Sequence, residues 1–188
     1  REILLDAVGL AALGLVADVV PLRDENRILV KHGLERIRTS PSIGLRALMQ
    51  AAGIKPDDAV TAEDVGYKLA PRLNAAGRLG CARMAVDLLT TTTPSAANIA
   101  AQFLERQNAE RQSLERKYTQ QAKELIDAEF PNDPALVVGS AGWNPGVIGI
   151  VASRLVDHYG KPALVMALPE NKDRDAVATG SGRSIPGF

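Results

Sequence analysis

Residues 135–168 read ALVVGSAGWNPGVIGIVASRLVDHYGKPALVMAL, and this stretch decides the fold. Ala135 to Gly139 and Ala163 to Leu168 are short apolar runs of strand length. Between them Pro145 to Tyr159 repeats its apolar residues at helical spacing. A strand, a helix and a second strand in that order form a β–α–β unit, whose strands must run parallel. Pro145 suits a first helical turn, because its fixed φ fits there and its missing N–H costs nothing. A third strand is predicted from Ala176 to Thr179. The fold class that follows is α/β.

Working outward, Pro131-Asn132-Asp133-Pro134 separates this unit from a run that opens at Pro94 or Ser95 and continues to about Phe130 without an internal Gly or Pro. It reads as one long helix. At about 1.5 Å per residue it would reach roughly 50 Å, more than one small domain needs and well suited to joining two. Its apolar positions, among them Ile99, Phe103, Leu114, Tyr118 and Ile126, are sparse, so much of it should face water. Thr90 to Thr93 is a polar stop before it. Further upstream short helices are predicted: Ile28, Leu29, Leu34 and Ile37 recur at helical spacing, and Thr61-Ala62-Glu63-Asp64 is a capped start with an acid at the third position. Ile3 to Leu22 reads as an apolar helix passing into a short buried strand, Leu15 to Val20, that carries Asp18 and is ended by Pro21. The expected organisation is residues 1–93, then the connector helix 94–130, then a partial second α/β domain, 131–188.

The 188 residues carry 22 Lys plus Arg and 22 Asp plus Glu, so no global field advertises a polyanionic partner. Nucleic-acid binding would need a local cluster of cations. Cys81 is alone, which excludes an internal disulfide and suits a reducing, cytoplasmic setting; it reads as a small residue near a helix start. No window offers the roughly 18 apolar residues of a membrane span. The chain opens at Arg1 without Met and reads as an excised segment.

Four places could carry chemistry. Asp18, flanked by apolar residues, would be costly to bury unpaired and should meet a cation, a helix N-terminus or a metal; on spacing alone it reads as a structural cap. Pro71-Arg72-Leu73-Asn74-Ala75-Ala76-Gly77-Arg78 sets two guanidiniums and an amide among small residues, equally the equipment for gripping phosphates and that of a solvated loop. Gly142-Trp143-Asn144-Pro145-Gly146-Val147-Ile148-Gly149 is a strand-to-helix turn whose glycines permit tight approach and which could hold an anion at the helix start, with Trp143 either stacking on a base or filling the core. Thr179-Gly180-Ser181-Gly182-Arg183-Ser184 is expected to be a donor-rich loop for a terminal phosphate. The glycine spacings match neither a dinucleotide fingerprint nor a Lys-bearing phosphate loop, so NAD and ATP are not indicated. The two histidines, His32 and His158, stand apart from acid clusters, and no Ser-His-Asp, HExxH or Cys-His set can be assembled.

Taken in order, ALGLVADVVPLRDENRILVKHGLERI (12–37), AEDVGYKLAPRLNAAGRLG (62–80), GWNPGVIGIVASRL (142–155) and GSGRSIPGF (180–188) resemble the RecJ family of the DHH phosphoesterase superfamily along essentially the whole chain. That resemblance implies the end of a DHH catalytic domain, a connector helix and the start of a DHH-associated domain. It also implies a 5′-to-3′ single-stranded-DNA exonuclease of DNA repair and recombination that uses Mn²⁺ or Mg²⁺. On it, Asp18 becomes the last metal-binding acid and so catalytic, Ser181 and Arg183 the 5′-phosphate pocket, and Arg72, Asn74, Arg78, Asn144 and Gly146 contacts to DNA. The implied partner is single-stranded DNA with a 5′ end, and no membrane.

The superfamily's Asp-His-His triplet is absent, so Asp18 alone cannot hold two metals and the segment by itself should be inactive. Asn144 stands where His is usual; an amide can donate to phosphate but cannot shuttle a proton near neutral pH. Two other readings are an oligonucleotide or cyclic-dinucleotide phosphodiesterase of the same superfamily, whose loop would end in His, and a non-catalytic replication scaffold.

Overall fold

The computed structural model describes residues 2–39, 41–129, 131–170 and 176–187. The chain divides into two compact units, residues 1–108 and 109–188. Helix α7, Pro94–Glu129, belongs to both. It is the long helix expected, and Phe130, its anticipated end, lies outside the described residues. Among the described residues no helix is long and apolar enough to cross a membrane.

The first unit is helical. Helices α1 (Glu2–Ala17) and α2 (Asp24–Thr39) lie antiparallel in close contact: a Cβ on Gly33 of α2 would stand 2.3 Å from the Ala12 Cβ and 2.6 Å from the Val8 carbonyl oxygen. Helix α3 (Ile43–Ala51) starts on Ser42, whose hydroxyl accepts the Leu45 amide. Thr61 begins α4 (Ala62–Asp64) with the reciprocal cap that the sequence promised, its hydroxyl accepting the Asp64 amide and the Asp64 carboxylate accepting the Thr61 amide. The chain then passes without a break through a wider π-helical turn, Val65–Leu69, into α5 (Ala70–Arg78), and Cys81 precedes α6 (Ala82–Thr90) at its N-cap. Leu48, Val65, Leu69, Leu88 and Leu104, the last from α7, form the buried centre.

The strand expected at Leu15–Val20 is not there: α1 runs to Ala17, and the turn continues with Asp18 N–H on the Gly14 carbonyl and Val20 N–H on that of Leu15. The β-preference of valine expresses packing against neighbouring strands, and this unit has none among its described residues. A helix satisfies the same backbone groups internally.

The second unit is α/β. Strands β1 (Leu136–Ala141) and β2 (Ala163–Leu168) pair in parallel around α8 (Pro145–Tyr159), as the β–α–β pattern requires. Gly160, with φ 62°, closes α8 in the left-handed conformation. The third strand does not occupy Ala176 to Thr179. It is β3 (Thr179–Arg183), antiparallel to β2, so the segment expected as a loop is itself an edge strand. Buried Trp143 stacks on Tyr118 of α7 with ring centroids 5.6 Å apart and donates Nε1–H to Gln121. That ring is core and not a platform for a base.

Candidate nucleic-acid interface

In β3 the alternation of a strand decides which side chains share a face. Ser181 pairs with Val165 and Arg183 with Ala163, both buried residues of the sheet face that α8 covers, while Gly180 and Gly182 fall on the opposite face. Helix α8 meets them with Gly149. A Cβ there would stand 3.1 Å from the Ser181 Oγ and 3.5 Å from the Arg183 Nη2. Arg183 Nη1–H donates to the Ser181 Oγ at 3.2 Å and to the Gly182 carbonyl at 2.7 Å, which fixes guanidinium and hydroxyl side by side. At the head of α8 the Asn144 Oδ1 accepts the Gly146 amide at 2.8 Å, so the side-chain carbonyl is spent on the cap and Nδ2 is the group with protons to offer. The Asn144 amide is anchored on the Tyr118 hydroxyl, which in turn donates to the Gly142 carbonyl. A guanidinium and a hydroxyl thus lie together at Gly149 in the second turn of α8, the helix whose N-cap carries the Asn144 amide donor.

In the first unit Asp18 is exposed, in the turn that leaves α1. The desolvation penalty that argued for a structural partner therefore does not arise, and a carboxylate at a helix C-terminus gains nothing from the helix dipole. Next to it Val19 adopts φ 54° with 86% of its surface exposed, a strained conformation for a β-branched residue. Gly66 of the π-helical turn lies against Val16 of α1, so the motif from Val65 to Arg78 starts beside the helix end that bears Asp18. Asn74 and Arg78, four residues apart on α5, share an exposed face. Arg72 points elsewhere: its Nε pairs with Glu105 and its Nη1 donates to the Lys68 carbonyl at 2.6 Å, so part of its guanidinium is committed within the unit.

The described residues do not by themselves make a metal centre. Among them no three of His, Cys, Asp and Glu come together in a way that could hold an ion, and Asp18 offers one carboxylate. No catalytic step through a metal is derived from these side chains.

No protein-family model matches the sequence. Individual proteins do. The single-stranded-DNA-specific exonuclease RecJ of Bacillus subtilis is 44% identical over 183 residues, 97% of this chain and 23% of that protein. The crystal structure of RecJ with Mn²⁺ from Thermus thermophilus superposes on 98% of this chain with a TM-score of 0.81 at 38% identity, covering 26% of that molecule. A second structure, of exonuclease RecJ bound to manganese, gives 0.80 over 98% of this chain and 44% of its own. The chain belongs to the RecJ family. It spans about a quarter to a third of the length of the curated RecJ proteins it matches.

Of the positions to which the RecJ resemblance points, Ser181, Arg183, Asn144 and Gly146 gather in the second unit. Asp18, Arg72, Asn74 and Arg78 lie in the first. Sequence reasoning missed three features. Gly149 was legible as a glycine permitting close approach, but the sequence did not show that Ser181 and Arg183 are what approach it. Tyr67, 80% exposed, stands on the π-helical turn one residue before Lys68, and its place within AEDVGYKLAPRLNAAGRLG was the available signal. Glu115 of α7 is nearly buried between Arg111, at 2.8 Å, and Arg154 of α8, at 3.0 Å, and holds the RecJ-like helix α8 against α7; nothing local in the sequence announces that triad.

Proposed function

We propose that the protein of which this chain is part is a 5′-to-3′ exonuclease that hydrolyses phosphodiester bonds of single-stranded DNA with Mn²⁺ or Mg²⁺, in the cytoplasm and in the service of DNA repair and recombination. The observation that carries this reading is the set of Ser181, Arg183 and Gly149, where a strand edge and a helix leave a hydroxyl and a guanidinium together against a glycine. That set would hold a terminal 5′-phosphate, with the Asn144 Nδ2 as a further donor. Asn74 and Arg78 would grip inner phosphates, Arg72 would position that segment through its bonds to Glu105 and Lys68, and Tyr67 offers a face on which a base can stack. Asp18 would be one carboxylate ligand of the metal, whose other ligands come from elsewhere in the whole enzyme. When bound, the metal would polarise the phosphodiester and supply hydroxide.

The test uses the whole enzyme with Mn²⁺ on single strands bearing a 5′-phosphate or a 5′-hydroxyl. Asp18→Asn should abolish hydrolysis. Arg183→Ala should lower the preference for phosphate about 10- to 100-fold, the range expected for losing charged hydrogen bonds. Wild-type enzyme that cuts both ends equally would refute the phosphate seat, and degradation by residues 1–188 alone, sensitive to Asp18→Asn, would refute the need for outside ligands.

A further inference from the structure

Helix α2 leaves the Asp18 turn through Pro21, whose carbonyl accepts the Asn26 Nδ2–H at 3.2 Å. Arg23 immediately precedes the helix, and Arg27 and Lys31 follow at intervals of four. Four residues advance a helix by about 6 Å and turn it by little more than one full circle, so Arg27 and Lys31 share one face, and Arg23 lies just before them across Asp24, whose φ is 45°. All three are exposed, and no carboxylate among the described residues pairs with any of them. Glu35, four residues beyond Lys31, gives both carboxylate oxygens to Arg38, at 3.2 and 2.6 Å. Glu25 falls on another side of the helix, while Asp24, three residues before Arg27 and seven before Lys31, shares their side at the helix start and, among the described residues, forms no ion pair with either. Beyond the row Arg38 and Arg46 line one groove of about 370 Å³ with Pro41, Met49 and Gln50, and Arg46 is exposed and forms no ion pair among the described residues.

In a chain whose charges sum to zero, such segregation creates a local positive track that composition alone does not announce. The cations are spaced so that consecutive phosphates of an extended strand can each meet one. Lysine and arginine on a helix surface, with no aromatic between them, grip backbone without reading bases.

We infer that Arg23, Arg27 and Lys31 form a sequence-independent track for the body of the single strand, leading from the Asp18 turn toward the Arg46 groove. This rests on the exonuclease reading and adds to it a second contact with the substrate, remote from the end being processed. A strand of a few nucleotides would not reach along it; a long one would.

The experiment measures binding to the whole enzyme in EDTA, where nothing is cut, by fluorescence anisotropy of labelled oligothymidylates of two lengths across a salt series. For the long strand, Arg27→Gln/Lys31→Gln should flatten the dependence of log K on log salt by about 1.4, since each single-strand phosphate contact contributes about 0.7. Affinity at moderate salt should fall roughly tenfold. Binding of the short strand and its hydrolysis with Mn²⁺ should be unchanged. A double variant whose long-strand slope equals that of the wild type overturns the track and leaves the exonuclease reading standing. Equal losses on long and short strands also overturn it, because they indicate a change at the processed end. Wild-type enzyme that binds neither length sinks both readings together.

Discussion

Asp64 is the residue at which charge and fold are most directly coupled. The Lys68 ammonium at 2.7 Å, together with the Thr61 hydroxyl and amide, holds its carboxyl at about 2, well below its usual 3.8. A carboxylate whose acidity is greater in the folded chain stabilises the fold above its unfolded pKa and loses that contribution as pH falls through the folded one. Nearly two units would correspond to more than 2 kcal/mol, but Lys68 is half exposed and solvent screens the pair, so about 1 kcal/mol is the expected share. Asp64→Asn should therefore lower the urea stability by about 1 kcal/mol at pH 7, and the gap to wild type should close between pH 4 and pH 2. A gap that stays constant over this range would mean that the neutral cap, not the charge, does the holding. The position matters because this cap starts the helical run on which Tyr67, Asn74 and Arg78 are displayed.

At the scale of elements, α8 and β3 meet through Gly149, and that contact separates function from stability. Gly149→Ala sets a Cβ 3.1 Å from the Ser181 Oγ, a crowding that a hydroxyl can relieve by rotating, while alanine improves the helix by up to about 1 kcal/mol. Urea unfolding should shift by less than about 1 kcal/mol, whereas the kcat/KM preference of the whole enzyme for 5′-phosphorylated strands should fall as Ser181 and Arg183 are displaced. Unaltered preference would place the phosphate seat elsewhere. The same pair of elements marks the reach of sequence reasoning. The β–α–β unit and α7 were legible because periodicity, Pro145 and the absence of internal Gly or Pro all agreed. Residues 179–183 were not, because Gly180 and Gly182 signal a turn locally and only the edge of β2, a tertiary partner, makes them a strand. The run Leu15 to Val20 failed in the opposite sense: its valines proposed a strand that had no sheet to join. The donors Ser181 and Arg183 could still be named, because their chemistry is visible without their geometry. Gly149 could be named as a place of close approach, but its partners could not, because its contribution is space.

On the scale of the whole chain, two buried centres share one helix, and the distribution of aromatics makes them separately observable. Trp143, the single tryptophan, is buried in the second unit against Tyr118 and Gln121. The first unit depends on a crossing of α3 and α6 so close that a Cβ on Gly44 would stand 1.7 Å from the Leu88 carbonyl oxygen and 2.7 Å from its carbon. Backbone cannot yield there as a side-chain tip would, so Gly44→Ala should destabilise the first unit by about 3 kcal/mol, the upper end of overpacking costs. Since the second unit holds its own core of Leu136, Val138, Val151, Leu155 and Val165, Trp143 should not register that loss. In urea, the helical circular dichroism of the variant should acquire an early transition, while Trp143 emission keeps its wild-type midpoint. Two probes that no longer coincide are the signature of units unfolding separately. If Trp143 emission moved together with the helical signal, α7 would be carrying strain from one core into the other, and the units that bear Asp18 and Arg183 would have to be treated as a single cooperative body.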